Sequence, residues 1–440
     1  MGQALDWLST ANNCFSDPFG SLRRGLLTSV FAPVIGLERI WHLDQMEDLG
    51  FAVLTGGQRC PSRYSVGAWR RHLPWYEVDA FCRQTSPWYL LEGQKALISY
   101  DEHTVPRWTH KFHIPKSYVT TRNKYVHAEK FYYTFDVAQD RYLAVRATPG
   151  NIGLADVAER LTRQTLQLGQ PEHLHALFDA GAGKSDAAVR RLLDLAAAHP
   201  GRLDVTLRAC RYPHRTALWK ALPASQFEVF SEAGPYVGAA EKEIRLAETT
   251  TILKGESIED AVRTVICREV VPGPKKDRWH PLYTTSACEP VEVLSDFRQR
   301  QHHEQAYRVG VHDEMLDGVP CGYDKDSADP KRPGWQRGGM QMVGWLIALV
   351  YNAVANVAVE LAGEYKGSHV RTVRRNFFNR PGELYLTTEA LIVYLDPFAG
   401  QEALIPVIDE FNEEVHRLPW LGNRRVVLCL SPQTLHPRGA

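Results

Sequence analysis

The sequence lacks the features that mark several large classes of protein. Its 440 residues carry 51 basic and 51 acidic side chains, so the chain has no net charge with which to attract a polyanion as a whole. The eight cysteines are scattered, and the absence of a Cys-x-x-Cys pair argues against a zinc ribbon and favours reduced, buried thiols. We find no internal repeat and no low-complexity segment. Hydrophobic and charged contents of 44% and 23% are typical of a globular protein.

Long uninterrupted apolar runs are missing as well. The N-terminal region contains Asp6 and no continuous apolar core, so we expect no signal peptide. The most apolar stretch, 340–362, contains a stripe of polar residues four apart, Asn352, Asn356 and Glu360, and its unbroken part is too short to span a bilayer. We therefore expect a helix packed against a sheet, and no membrane partner.

The spacing of apolar residues changes along the chain and predicts its organisation. Residues 1–92 are predicted helical, and Ser62 is expected to cap a helix whose basic and aromatic face (69–72) contacts DNA, forms a dimer or faces solvent. Residues 93–211 have the mixed α/β order strand, strand, strand, helix, strand, helix, strand. An irregular region is expected to open at 212–214. The further predicted regions are a β-rich insertion at 212–280, the second part of the core at 281–365 and a basic α+β region at 366–440.

Three carboxylates fall where this layout could bring them together. Asp101 follows the apolar run 96–98 and ends a predicted buried strand, at the rim where α/β sheets bind ligands, although a lone aspartate there could equally begin a turn. Asp179 ends the strand 174–178, and Glu304 lies on a helix at 291–307. Two carboxylates about 4 Å apart repel by about 4 kcal/mol at an effective dielectric of about 20. A hard divalent cation, Mg²⁺ or Mn²⁺, would offset that repulsion.

The sequence motifs around these acids resemble those of a known protein family. Similar motifs occur in bacterial insertion-sequence transposases of the DDE class, and the matching residues are 99–106, 177–181, 281–286, 297–304, 317–320 and 418–422. The resemblance implies a ribonuclease H-like mixed sheet flanked by helices and interrupted by the β-rich insertion of the cut-and-paste type. It also implies that Asp101, Asp179 and Glu304 are catalytic and hold two Mg²⁺ ions, for which Mn²⁺ can substitute.

The same resemblance implies a partner and a location. Transposases of this family bind double-stranded DNA at the ends of their element, hydrolyse phosphodiester bonds and join the 3′-hydroxyl ends to target DNA. A homodimer in the synaptic complex and a cytoplasmic, nucleoid-associated location in a bacterium follow as expectations.

The third motif departs from the family pattern, Tyr-x-x-Arg-x-x-x-Glu-x-x-x-x-x-x-Lys. Arg300 and Glu304 match, but Phe297 replaces the tyrosine and Val311 stands at the lysine position. Arg308 or His312 is a candidate substitute. Because the tyrosine and lysine handle the DNA backbone in the family, a hairpin intermediate does not follow from this sequence.

Local basic clusters favour a DNA partner better than the overall charge does. Between 107 and 130, six basic residues accompany one acid, Glu129, with Tyr118 and Tyr125 interleaved, as on a surface that tracks a DNA backbone or on a solvated strand edge. Arg300 shares a helix face with Glu304 and is the leading phosphate contact. The predicted DNA contacts are Lys111, Lys116, Arg122, Lys124, Arg300, Arg308, Arg371, Arg374 and Arg375.

Several alternatives stay open at the level of sequence. Asp136 is the alternative second acid, and Glu289, Glu292 and Glu314 are alternatives to Glu304. The histidine pairs 110/113 and 302/303 are interpreted as surface or core residues, since no cysteine or further histidine completes a zinc site. Two other functions fit the same residues: a catalytically retired, transposase-derived DNA-binding protein, and a metal-dependent phosphohydrolase or nuclease acting on small substrates.

Overall fold

A computed structural model of the chain describes residues 2–16, 21–37, 39–107, 114–119, 123–232, 242–253, 261–271, 277–313, 338–378 and 380–430. It is a mixed α/β structure with a ten-stranded mixed sheet flanked by helices and a second sheet of four strands. The chain divides into two compact units: Met1–Ser86, Trp108–His113 and Gln305–Ala440 form the first, and Pro87–Arg107 with Ile114–Glu304 form the second.

Helices of the described ranges occur at both ends of the chain and between the strands. Their bounds are α1 Gly2–Cys14, α2 Leu22–Val34, α3 Leu49–Leu54, α4 Arg63–Arg71, α5 Trp75–Thr85, α6 Leu154–Gly169, α7 Asp186–Ala197, α8 Pro213–Lys220, α9 Pro290–Asp313, α10 Gly338–Glu360, α11 Val370–Phe377 and α12 Ile405–Glu413.

The strands are grouped into the two sheets in chain order. The large sheet contains β1 Lys95–Pro106, β2 Lys116–Val119, β3 Lys124–Asp136, β4 Arg141–Pro149, β5 His173–Phe178, β6 Leu203–Arg208, β7 Glu228–Glu232, β8 Lys242–Ile252, β9 Ala261–Glu269 and β10 Arg278–Thr284. The small sheet contains β11 Gly382–Leu386, β12 Ala390–Leu395, β13 Arg417–Leu418 and β14 Arg424–Leu430.

Strand β1 organises the large sheet because it pairs differently on its two sides. Residues 95–100 pair in parallel with β5, whereas residues 98–106 pair antiparallel with β3. The prediction that this strand ends at Asp101 is therefore wrong. The strand continues to Pro106 because β3 supplies partners for its polar half, including Lys130, which lies opposite Thr104 and forms an ion pair with Glu102.

The strands predicted for the insertion join the same sheet. Its order is β2–β3–β1–β5–β6–β10–β9–β8–β7, with β4 paired to β3, so β10 connects the insertion strands to β6. The irregular opening predicted at 212–214 is wrong, since Pro213 begins helix α8. Proline is favoured in the first turn of a helix, where its missing N–H costs nothing.

Two apolar layers cover the two faces of this sheet. On one face, α6 and α7 pack through Leu161 and Leu192 onto Ile98, Ala176 and Val205 of three neighbouring strands. On the other face, a smaller layer joins Val293 and Leu294 of α9 to residues of β8, β9 and β10. Further along α9, Asp296, Arg300 and His303 meet the sheet through polar contacts at the candidate site described below.

In the first unit, α10 is a core helix. Among the described helices it is the one long and apolar enough to cross a membrane, but 78% of its apolar window is buried. It packs against α2, α4, α5 and α11. The prediction that it packs against a sheet is wrong, because a helix that is apolar on nearly all sides suits the centre of a helical cluster.

Helix α4 bears out one prediction and corrects another. The Ser62 hydroxyl accepts a hydrogen bond from the Ser65 N–H at 3.2 Å, so Ser62 is the cap that was predicted. Trp69 and Arg70 are buried, with 5% and 4% exposed, so only Arg71 and His72 of the predicted face are exposed. Gly25 of α2 makes this burial possible, since a Cβ there would lie 2.1 Å from the Trp69 ring.

Candidate active site

Asp101 lies at the point of β1 where the parallel neighbour ends. The last register pair between β1 and β5 joins Tyr100 to Phe178, and their rings stack with centroids 4.7 Å apart. Asp101 is the next residue of β1, and Asp179 is the residue that follows β5. The parallel register therefore brings these two carboxylates to the same edge of the sheet, as the sequence predicted.

Helix α9 brings Glu304 to the same edge. One turn before it, Arg300 donates from Nη1 to Asp101 Oδ2 at 2.8 Å, and its Nη2 pairs with Glu304 Oε1. Only 10% of the Arg300 side chain is exposed, whereas 45% of the Glu304 side chain is. The arginine thus bridges an acid on the central strand and an acid on the helix.

The charges at this edge act on each other. Burial raises the pKa of Asp101 to about 6, the Arg300 charge lowers it, and the negative charges of Asp179 and Glu304 raise it further. For Arg300, burial lowers the pKa, but the charges of Asp101, Asp179 and Glu304 outweigh burial and raise it above the ordinary value. All three predicted acids therefore share one electrostatic environment with one arginine.

The raised pKa of Asp101 leads to a prediction about pH. The folded chain holds this proton more tightly than the unfolded chain, whose aspartates have a pKa near 3.8, so the folded state binds more protons between about pH 4 and 6. The resulting contribution to the free energy of unfolding is present below about pH 4 and is lost as the pH rises to about 6. The variant Asp101→Asn has no carboxyl to titrate at this position and so lacks this contribution to stability.

Urea unfolding of both proteins across this range measures the effect. We expect the stability of the wild type relative to Asp101→Asn to fall from pH 4 to pH 6. A stability difference that is constant over this range would contradict the assignment.

Glu102, next along β1, has a separate structural role. Its carboxylate accepts hydrogen bonds from Lys130 Nζ at 3.0 Å and from the backbone N–H of Leu154, the first residue of α6, at 3.1 Å. A carboxylate at a helix N-terminus is stabilised by the free N–H groups there. Because side chains alternate between the two faces of a strand, the Glu102 side chain lies on the face opposite to that of Asp101.

Helix α9 is held by three polar contacts along one stripe. Asp296 Oδ2 lies 3.2 Å from His175 Nδ1, Arg300 pairs with Asp101, and His303 Nδ1 lies 2.9 Å from the Ser99 hydroxyl. His303 is fully buried, and its ring stacks on Phe135 with centroids 4.8 Å apart. Burial lowers the pKa of His303 well below its ordinary value, with the Arg300 charge adding to the effect, so this histidine is neutral.

Sequence reasoning did not single out His303 as one of the residues that hold α9 against the sheet. The interpretation of His303 as a core histidine is correct, and its position seven residues after Asp296 on the helix was the available signal. The other histidine pair, 110/113, lies outside the described residues. Asp136, the alternative second acid, accepts hydrogen bonds from the N–H groups of Ala138 and Gln139 and so closes the β3–β4 turn.

Oxygen donors of this kind suit a hard divalent cation. Asp101, Asp179 and Glu304 offer only carboxylate oxygens, which Mg²⁺ and Mn²⁺ prefer. In the part of the chain that the structure describes, however, no three acids, histidines or cysteines lie close enough together to hold a metal ion. The guanidinium of Arg300 occupies the position between Asp101 and Glu304, so a metal ion would have to displace it.

The predicted DNA contacts lie on several separate elements. Lys116 and Lys124 are exposed on the β2–β3 hairpin beside the exposed rings of Tyr118 and Tyr125, whose centroids are 5.4 Å apart. Arg308 is exposed on α9. Arg371 and Arg375 are exposed four residues apart on α11, while Arg374 is half-buried and donates to the Pro33 carbonyl at 3.0 Å. Lys111 and Arg122 lie outside the described residues.

Two further members of the basic cluster at 107–130 are neutralised within the fold. Arg107 pairs with the buried Glu129 at 2.5 Å, and the buried Lys130 pairs with Glu102. The expectation that all six basic residues face a common solvent-exposed surface is therefore wrong. The exposed part of this cluster, in the described ranges, is the hairpin with its two lysines and two tyrosines.

Comparison with known proteins gives distant structural likenesses only. No family model and no curated protein sequence matches this chain. Among solved structures, a piggyBac transposase synaptic complex with hairpin DNA is similar with a TM-score of 0.40 and 12% sequence identity, over 80% of this chain and 70% of that chain. A likeness at this level identifies neither the family nor the activity of this chain.

Proposed function

We propose that this chain is a DNA transposase that cleaves phosphodiester bonds at the ends of its own element and joins the 3′-hydroxyl ends to target DNA. The observation that supports this function is the convergence of Asp101, Asp179 and Glu304 at one edge of the large sheet, with Arg300 between two of them. Three carboxylates concentrated around one arginine are costly without a cationic ligand, and phosphoryl chemistry uses such a set.

The order of the strands around the acids supports the finer assignment to a ribonuclease H-like core. In the spatial order β4–β3–β1–β5–β6, the strands from β4 to β1 pair antiparallel and the strands from β1 to β6 pair in parallel. The first acid lies on the central strand, the second follows its parallel neighbour and the third lies on a later helix. This arrangement is the one that the resemblance in sequence implies.

In the proposed mechanism, Asp101, Asp179 and Glu304 would hold Mg²⁺ or Mn²⁺. The metal would activate a water or 3′-hydroxyl and stabilise the leaving oxygen. In the structure, Arg300 neutralises Asp101 and Glu304. Beside a bound metal its guanidinium would bind a DNA phosphate, which is the role proposed for it from the sequence. A homodimer, formed when two ends are synapsed inside a bacterial cell, completes the proposal.

The test is metal-dependent cleavage of DNA that carries the ends of the element. We expect nicked and joined products in the presence of Mg²⁺ or Mn²⁺ and none in the presence of EDTA, with end-specific binding in both. Products that do not depend on metal would contradict the proposed chemistry.

A second candidate, a DNA-binding protein that no longer cuts, is favoured by one observation. Arg300 takes the position of the cation between the acids, as it would in a site that has stopped binding metal. End-specific binding without products in any metal would select this function. Hydrolysis of nucleotides without DNA binding would instead select a phosphohydrolase.

A further inference from the structure

Three arginines surround an open pocket in the small sheet, far along the chain from the acids. The pocket has a volume of about 500 Å³, and its lining includes Arg417, Arg424 and Arg425 together with Asn423 and a single acid, Glu389. We call it the arginine pocket. Three guanidinium groups and one carboxylate leave a surplus of positive charge in this small volume.

A tight turn between β13 and β14 creates the pocket. Gly422 and Asn423 have φ angles of +67° and +61°, a left-handed conformation that glycine and asparagine adopt most readily. The Asn423 N–H donates to the Leu418 carbonyl at 3.1 Å and closes the turn. The resulting antiparallel register places Arg417 directly opposite Arg425.

Main-chain carbonyls, and no carboxylates, hold the three side chains. Arg417 Nη1 donates to the Asn423 carbonyl at 3.0 Å, Arg424 Nε donates to the Thr387 carbonyl at 2.7 Å, and Arg425 Nη2 donates to a main-chain carbonyl of α12. None of the three forms an ion pair with an acid of the described residues. The buried Arg425 Nε has no hydrogen-bond partner there.

This arrangement is unfavourable unless an anion is present. Like charges directly opposite each other on antiparallel strands destabilise a sheet. Each guanidinium has five N–H groups, so donors remain after the contacts to the main chain. Arginine forks match the paired oxygens of a phosphate, and fixed arginines lose little entropy on binding one.

The lining also indicates which kind of phosphate fits. The apolar members of the lining are Ala390 and Val427, and no aromatic ring is among the described residues that form the pocket, so it lacks the aromatic platform of a typical nucleobase site. We infer that the arginine pocket binds a phosphate group of the DNA backbone. The choice of DNA over free phosphate rests on the proposed function; the phosphate site itself does not.

Arg417→Glu is the sharpest test because it removes the site without breaking the fold. The new carboxylate would lie opposite Arg425 and replace a repulsive pair by an attractive one. In chloride, we expect the variant to unfold at the same temperature as the wild type or above it. The matched control is Arg83→Glu, which makes the same charge change at an exposed helical arginine that pairs with Asp79 at 2.7 Å.

The first measurement is thermal unfolding in inorganic phosphate and in chloride at equal ionic strength. We expect phosphate to raise the midpoint for the wild type and for Arg83→Glu, and to have no specific effect on Arg417→Glu. An equal phosphate effect on Arg417→Glu, or none on the wild type, would overturn the site.

The second measurement separates the two sources of phosphate. If the ligand is the DNA backbone, Arg417→Glu should bind duplex DNA about tenfold more weakly, and the salt dependence of its log affinity should be shallower by about 1. Unchanged DNA affinity combined with loss of the phosphate effect would overturn the DNA assignment and identify a free phosphate. A wild type that fails to bind DNA but responds to phosphate would count against the proposed function and leave the site standing.

Discussion

Replacement of Glu304 by alanine is expected to abolish metal-dependent DNA cleavage and to leave DNA binding in place. The Glu304 side chain is 45% exposed, compared with 27% for Asp101, so its removal leaves no buried cavity. Loss of a metal ligand at a phosphoryl-transfer site removes several kcal/mol of transition-state stabilisation, which corresponds to a rate at least about 10³-fold lower. The cleavage rate is measured on end DNA in Mg²⁺, and the DNA affinity is measured separately by gel shift.

The control for this variant is Glu292→Ala, which removes the same charge from the first turn of the same helix. It should cut at the rate of the wild type. If Glu304→Ala cuts as fast as the wild type, the third acid has been misassigned. Glu289 and Glu292 then become the candidates within the described part of the chain.

Arg300→Gln is expected to lower the stability of the metal-free protein and to make that stability depend on metal. Arg300 is the counter-charge that lies between Asp101 and Glu304, and its removal leaves carboxylates close together without compensation. Breaking a buried ion pair costs about 3–5 kcal/mol, and the partial exposure of these acids reduces the expected loss to about 2–3 kcal/mol. Millimolar Mg²⁺ should restore the loss, because the metal takes over the role of the guanidinium.

Thermal unfolding with Mg²⁺ and with EDTA measures this coupling. Arg308→Gln, at an exposed position of the same helix, should unfold as the wild type does under both conditions. If Arg300→Gln is destabilised equally with and without Mg²⁺, the acids do not form a cation site. If it is not destabilised at all, the arginine is not what holds the acids together.

The placement of the three acids near one another could be predicted because each has a local signal. Asp101 and Asp179 come directly after short apolar runs, and Arg300 and Glu304 are four apart on a periodic helix. What the sequence could not reveal is that Arg300 faces these acids, since nothing local distinguishes an arginine that binds DNA from one that pairs across the fold. The burial of His303 was among the predicted alternatives, but its partners Ser99 and Phe135 could not be identified because they are distant in sequence.

Errors in the fold prediction have a similar origin. Strand β1 was ended too early because its polar half, from Asp101 onward, is stabilised by β3 and not by apolar burial. The burial of Trp69 and Arg70 depends on the close approach allowed by Gly25, which lies on another helix. Elements with a periodic pattern, such as α6 and α7, could be located from sequence, but the surfaces that meet in three dimensions could not.

The separation of Asp101 and Arg300 along the chain affects when the protein can first act. These ion-pair partners are 199 residues apart. A ribosome adds about 5 to 20 residues each second, so roughly 10 to 40 s pass between the synthesis of β1 and the synthesis of the part of α9 that carries Arg300 and Glu304. During that time the nascent chain contains at most two of the three acids. Under the proposed function, the late position of the last acid in the gene would delay cleavage of DNA until translation of the large sheet is complete.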